Sequence, residues 1–433
     1  MKKSYIVFAL AGLLSAVPLW AQESYDLVLK GGHVIDPKNK VDGVMDVGIR
    51  DHKIAAVAPS IAASADTKIV NVSGLYVTPG LVDIHVHVNA GTAERDSYAG
   101  DNSVYPDGFT FRSGVTTVAD AGSSGCKSFE DFKQRIIDRA HTRVLAFINI
   151  VGAGMRGGKF EQNLADMDVT CAASEARKFP DVIIGIKTAH YAGPEWTPVE
   201  HAVQAGTLAN IPVMVDFGEF RPERPYEKLV TEKMRPGDIS THMYLDYVPM
   251  LDDQGKVRPY LFEARKRGVI FDVGHGGGSF LFRQAVPAIQ QGFIPDSIST
   301  DLHIGSMNAG MKDMLNVMSK FLNIGIPLQQ VIEMSTSHPA HEIKRDELGN
   351  LSIGSDADVA VLRLENGKYG FVDTYGARMS GDQKLTAEMT VRHGLIVWDL
   401  NGLSRDDWKG QGKYHALGSR KWDGTLSGAI WKR

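Results

Sequence analysis

Between Leu81 and about Ile343 the chain repeats one pattern eight times: a short apolar run, then a polar or amphipathic stretch. The runs are Leu81–Val88, Thr116–Ala121, Val144–Val151, Val182–Lys187, Pro212–Phe217, Asp238–Met243, Val269–Gly274 and Ser297–Thr300. Segments such as Ser128–Ala140 and Pro198–Leu208 between them carry helical spacing. Eight strands alternating with helices predict an α/β fold, a (β/α)8 TIM-like barrel. In such a barrel the chemistry gathers at the C-terminal ends of the strands.

Both flanks differ. Residues 25–72 hold short strand-like runs separated by turn pairs such as Gly31-Gly32 and Asp51-His52. A matching set returns at Asp358–Leu362, Glu388–Arg392 and Leu395–Trp398. Neither flank has enough strand to bury a core alone. Together they predict a small β-sandwich domain drawn from both chain ends, residues 22–78 and 350–433, around a barrel of 79–349. The first 21 residues fit neither part. Lys2 and Lys3, an apolar run from Tyr5 to Val17 and a small residue at Ala21 are the parts of a bacterial Sec signal peptide. The apolar run is too short for a membrane anchor, and the mature chain is expected in the periplasm or outside the cell.

The formal charge of -4 comes without acidic or basic blocks. Neither nucleic acid nor an anionic membrane surface is an obvious partner. A small-molecule substrate is expected, and self-association into a homo-oligomer is left open. The 2 cysteines, Cys126 and Cys171, are too few for a disulfide framework and are read as free or buried thiols, although an oxidising compartment would permit a bridge.

Strand ends carry the chemistry. His85 and His87 close the first strand, and side chains at i and i+2 share a face, so both imidazoles can reach one metal ion. Other runs end in metal-capable groups: Lys187, Asp216, His242, His275 and Asp301. The histidines at positions 33, 52, 141, 201, 338, 341 and 393 fall on the flanks or on helices and read as structural or surface groups.

The motifs Pro79-Gly-Leu-Val-Asp-Ile-His-Val-His87, Gly185-Ile-Lys187, Asp238-Ile-Ser-Thr-His242, Phe271-Asp-Val-Gly-His-Gly276 and Ser299-Thr-Asp301, together with Gly354-Ser-Asp-Ala-Asp-Val-Ala-Val361, resemble the amidohydrolase superfamily. The nearest likeness is to its dihydroorotase-like amidohydrolase/deacetylase metallohydrolase branch, and it covers nearly all of the mature chain. The resemblance implies two divalent metal ions, zinc first and manganese or iron as alternatives. Their ligands would be His85, His87, a CO2-derived carbamate on Lys187, the strand-five residue, His242 and Asp301. The strand-five residue is a departure: Asp216 stands where relatives usually carry histidine. A carboxylate still binds Zn²⁺ and shifts the site towards harder metals. Two divalent cations set against Asp301, Asp216, a carbamate and a hydroxide leave the centre near neutral.

The implied reaction is hydrolysis of an amide (an N-acyl amino acid, a dipeptide or a cyclic amide) by a metal-activated hydroxide, with Asp301 as general acid and base. His190, His275, Gly277 and His303 are assigned to the substrate, and Arg221, Arg224 and Arg283 are candidate clamps for a substrate carboxylate. Two alternatives stay open: a carboxylesterase using the same site, and a non-catalytic periplasmic binding protein derived from the barrel.

Overall fold

In the computed structural model, which describes residues 24–219 and 221–411, seven parallel strands pair in chain order. They are β1 (Leu81–Val86), β2 (Val115–Gly125), β3 (Arg143–Asn149), β4 (Ile183–Thr188), β5 (Val213–Val215), β6 (Ile239–Ser240) and β7 (Ile270–Phe271). The eighth run is extended and closes the ring through parallel bridges, Asp272 to Ser297 on one side and Val86 to Leu302 on the other. Val273 N donates to Ser297 O and His87 N to Leu302 O across the same two seams. The barrel expected from the alternation is therefore present.

Strands β1 and β4 are buried along their whole length, because the ring covers one face and helices cover the other. Two apolar clusters mark these layers. Val82, Ile84, Leu145, Phe147 and Met214, drawn from three strands that are not neighbours in the sheet, fall in one cluster, which side chains of a closed ring can do only on its inside. Leu81, Val118, Ala146, Ile148 and Val213 pack outwards under the helices. The helices carry their own stop and start signals. Asp168 accepts from Thr170 N and Cys171 N to cap the helix Val169–Lys178. Asn210, left-handed at φ 56°, ends the helix Thr197–Ala209.

Five N-terminal strands (Leu27–Asp36, Val41–Arg50, Lys53–Ala58, Lys68–Asn71 and Tyr76–Pro79) and three C-terminal ones (Val359–Val372, Arg378–Arg392 and Leu395–Asp399) form the second domain. All eight are hydrogen-bonded into one sheet. Its junction is the antiparallel pair of Tyr76–Pro79 with the start of Val359–Val372. Leu29, Val47 and Val77 from one end share a core with Val359, Val361 and Met389 from the other. The long C-terminal hairpin continues past that core onto the barrel helix Met314–Ile324, where Leu385 N donates to Ser319 Oγ at 3.0 Å.

Cys126 and Cys171 are joined by a disulfide, with their Cα atoms 5.8 Å apart. This corrects the expectation of free thiols. Sequence alone hides the pairing because 45 residues separate the two cysteines, and only the barrel brings the end of β2 beside the helix after β3. The expected signal peptide, 1–21, and positions 412–433 of the composite domain lie outside the described residues. Among the described residues no helix is long and apolar enough to cross a membrane.

Candidate metal centre and active site

His85 and His87 leave β1 on the same side, and both face Asp301 on the eighth segment. His87 Nε2 lies 3.2 Å and His85 Nε2 3.7 Å from Asp301 Oδ1. The three ligating atoms fall within 4.8 Å of one another. Asp301 Oδ1 is buried and has no hydrogen-bond partner, so its lone pairs are directed at two imidazoles. That arrangement fits a divalent cation, which supplies the missing counter-charge.

The opposite nitrogen of each ring is held in place. His85 Nδ1 donates to Thr241 Oγ1 at 2.8 Å, and Thr241 in turn donates to Asp272 Oδ2 at 2.7 Å. His87 Nδ1 pairs with Ser123 Oγ at 2.9 Å, and His242 Nδ1 donates to Gly274 O at 2.5 Å. All three Nε2 atoms therefore face the mouth, the orientation a metal ligand needs. Burial, with Lys187 second, holds the His85 imidazole well below its usual range and keeps it in the neutral, ligating form. Burial alone would push the Asp301 carboxyl up. His303, His87 and His85 outweigh it and hold the group well below the usual range, hence ionised.

Lys187 ends β4 fully buried. Its Nζ stands 3.2 Å from His85 Nε2 and 3.7 Å from Met214 Sδ. Burial pulls its ammonium below the usual range despite Asp216 and Asp301 nearby. Strand β2, next but one in the sheet, makes room for it at Gly122 (φ 86°), where an added Cβ would sit 2.6 Å from the Lys187 Cβ.

The second half of the site is built on Asp216. Its Oδ2 lies 3.5 Å from His242 Nε2 and 3.1 Å from His190 Nε2. His190 is held from behind by Glu161, 2.7 Å from its Nδ1. His190, His242 and Asp301 all take positive φ, at 55°, 57° and 51°. Left-handed non-glycine residues are uncommon, and three in one site mark backbone strain used to aim side chains. At His242 the left-handed turn follows directly on β6, which ends at Ser240, short of its apolar run.

A cavity of about 700 Å³ opens above these groups, lined among others by Tyr98, His190, Asp216, His242, Gly277, Asp301 and His303. His303 Nε2 lies 3.8 Å from Asp301 Oδ2, while its Nδ1 accepts from Gly305 N at 3.1 Å. His275, expected at the substrate, is not there. It is completely buried, its ring stacks on Phe280 at 4.5 Å, and its Nε2 accepts from Lys320 Nζ at 2.6 Å. The reason is local: after β7 the chain turns left-handed at Gly274 (φ 46°) and Gly276 (φ 56°), which directs the imidazole away from the mouth. The candidate clamps are also occupied elsewhere, Arg224 on the carbonyls of Tyr191 and Glu219 and Arg221 on Ala192 O.

Sequence reasoning missed several participants. Tyr98, in the long loop after β1, lays its ring 4.4 Å from His87 and 5.0 Å from His303. Glu161, Ser123, Thr241 and Asp272 orient ligands without touching the cavity. For Thr241 and Asp272 a signal existed, since each neighbours a strand-end residue; for Tyr98 and Glu161 none did.

Comparison with known proteins agrees with this geometry. Residues 282–397 match the model of the amidohydrolase family. A deacetylase of Agrobacterium fabrum is 34% identical over 344 residues, 75% of this chain and 80% of that protein. A deacetylase of Enterococcus faecalis is 30% identical over 380 residues, 86% of this chain and 99% of its own length. Among solved structures, an adenine deaminase superposes with a TM-score of 0.78 at 29% identity, covering 87% of this chain and all (100%) of that one. A dihydroorotase does so at 0.74 and 30%, covering 86% and 99%. The chain belongs to the amidohydrolase superfamily and is a hydrolase acting on carbon–nitrogen bonds. The non-catalytic alternative is thereby set aside.

Proposed function

We propose that the protein hydrolyses an amide, of an N-acyl amino acid, a dipeptide or a cyclic amide, using two divalent metal ions, zinc or else manganese or iron. The observation that carries this reading is the convergence of His85, His87 and the orphaned Asp301 Oδ1 on one point at the floor of the cavity. His85, His87 and Asp301 would hold one ion, His242 and Asp216 the other. Lys187, as a carbamate formed by its neutral amine and CO2 with loss of a proton, would complete the ligand set. The near absence of acceptors around the Lys187 amine supports this role. When bound, the metals supply Lewis-acid polarisation of the scissile carbonyl and a more acidic water.

The chain's own groups do the rest. Asp301, ionised under the influence of three histidines, takes the proton of the attacking water and returns it to the leaving nitrogen. His303 and His190 flank it on the cavity wall and orient the substrate. The amidohydrolase family match, with the deacetylase and dihydroorotase relatives, supports hydrolysis at a carbon–nitrogen bond. An extracytoplasmic location is part of the proposal: the N-terminal leader pattern and the Cys126–Cys171 bond both suit an oxidising compartment.

The test is a panel of N-acyl amino acids, dipeptides, cyclic imides and aryl esters against the metal-reconstituted mature chain. Two equivalents of metal are expected, with turnover of amides and a loss of roughly 100- to 10,000-fold in kcat for Asp301→Ala. A protein that binds no metal and leaves every amide intact would sink the reading.

A further inference from the structure

The wall of the cavity is defined as much by what it lacks as by what it holds. Among the described residues no lysine or arginine lines it. The three arginines that could have served are committed elsewhere. Arg224 is 2% exposed, donates to Tyr191 O and Glu219 O at 2.6 and 3.0 Å, and lies 5.0 Å over the Phe217 ring. Arg221 donates through Nε to Ala192 O at 2.7 Å, and its terminal nitrogen stands 3.3 Å from Glu219 Oε2. Arg283 lies over the Tyr375 ring.

The charge on the wall is negative. Glu219 lines the cavity with 54% of its side chain open to solvent. Asp246 sits between the lining residues Leu245 and Tyr247, paired with the Tyr375 hydroxyl. A substrate carboxylate entering here would lose water and meet no lysine or arginine in return, and the lining imidazole of His190 is already held through both nitrogens by Glu161 and Asp216, which makes its entry costly. An ammonium would meet Glu219, with Tyr98 and Tyr247 on the same wall, favourable surroundings for a cation. Arg221 does not close this off, because an exposed ion pair is readily exchanged for another cation.

We propose, resting on the amide-hydrolase reading above, that the site selects amides whose far end carries an ammonium and rejects those ending in a carboxylate, with Glu219 as the ammonium's contact. Within the amide class this narrows the substrate to acylated amines that bear a second, positively charged nitrogen.

Three matched acetamides test it on the metal-loaded full-length mature chain: N-acetylputrescine, N-butylacetamide and N-acetyl-γ-aminobutyrate, which differ in the charge of the far end. The expected kcat/KM order is cationic, neutral, anionic, spanning roughly tenfold or more. Glu219→Gln should cost the cationic compound roughly threefold more than the neutral one. An anionic compound turned over as fast as the cationic one overturns the proposal. So does an Arg221→Gln variant that loses the anionic compound selectively, since that would identify Arg221 as a carboxylate clamp. If no acetamide is cleaved, the amide reading fails, and calorimetric binding of the same three compounds still decides the charge ranking.

Discussion

Among the described residues two lysines, Lys187 and Lys320, are completely buried, and their surroundings are opposite. Lys320, on the barrel helix Met314–Ile324, donates to His275 Nε2 at 2.6 Å, Gly310 O at 2.7 Å and Val372 O at 2.9 Å. All three donors of the amine are satisfied, and the contacts tie helix, β7 loop and C-terminal hairpin together. Lys187 has an imidazole nitrogen at 3.2 Å and a thioether at 3.7 Å. A buried amine with full partners is a structural pin; one with so few is a reactive group waiting for chemistry. The comparison teaches that burial alone does not identify a functional lysine. Its acceptors do.

The largest effect expected from breaking this comparison is at Lys187. Lys187→Ala should lower kcat/KM by roughly a thousandfold or more, about 4 kcal/mol, and lower bound metal measured by elemental analysis. A short carboxylate such as propionate added to the variant should restore part of both. Retention of full metal content and activity would remove Lys187 from the centre. Next comes Lys320→Met, which leaves two carbonyls and His275 Nε2 unpaired and should cost about 2–4 kcal/mol in denaturant unfolding. Its turnover should stay within roughly threefold of the parent, since Lys320 does not line the cavity. A catalytic collapse with unchanged stability would reverse the two assignments.

The smallest effect is a pH slope. Burial pushes the Lys320 ammonium down to about 7 from its ordinary 10.5. Between those values the unfolded chain binds a proton that the folded chain does not. Stability should therefore rise with pH from about 7 towards 10.5, by at most about 1.4 kcal/mol per unit. Below pH 7 the full cost of burying the amine applies. Lys320→Met should flatten this rise; an unchanged slope would show that Lys320 stays charged in the folded protein.

Much of the barrel could be read from the chain because strand burial on both faces leaves near-continuous apolar runs, as in Val182–Ile186. The pair His85 and His87 was legible from strand periodicity, and Lys187, His242 and Asp301 from their places at strand ends. His275 occupied an equivalent place and went the other way, since two left-handed glycines redirect its backbone. Glu161 and Tyr98 could not have been found, because one ends the short helix Gly158–Glu161 and the other lies in a loop, and neither sits at the end of a strand. The Cys126–Cys171 bond was hidden because only the barrel brings the end of β2 beside the helix Val169–Lys178.

Local pattern by itself determined the alternation of elements, the split second domain and the side chains able to bind a metal, since each rests on periods of two or about 3.6 residues. The tertiary structure alone decided which strand-end groups meet. It turned His275 onto Lys320, set Glu161 behind His190 and, among the described residues, left the cavity wall without a lysine or arginine. Those outcomes depend on backbone turns and on contacts between residues far apart in sequence, and no local pattern records them.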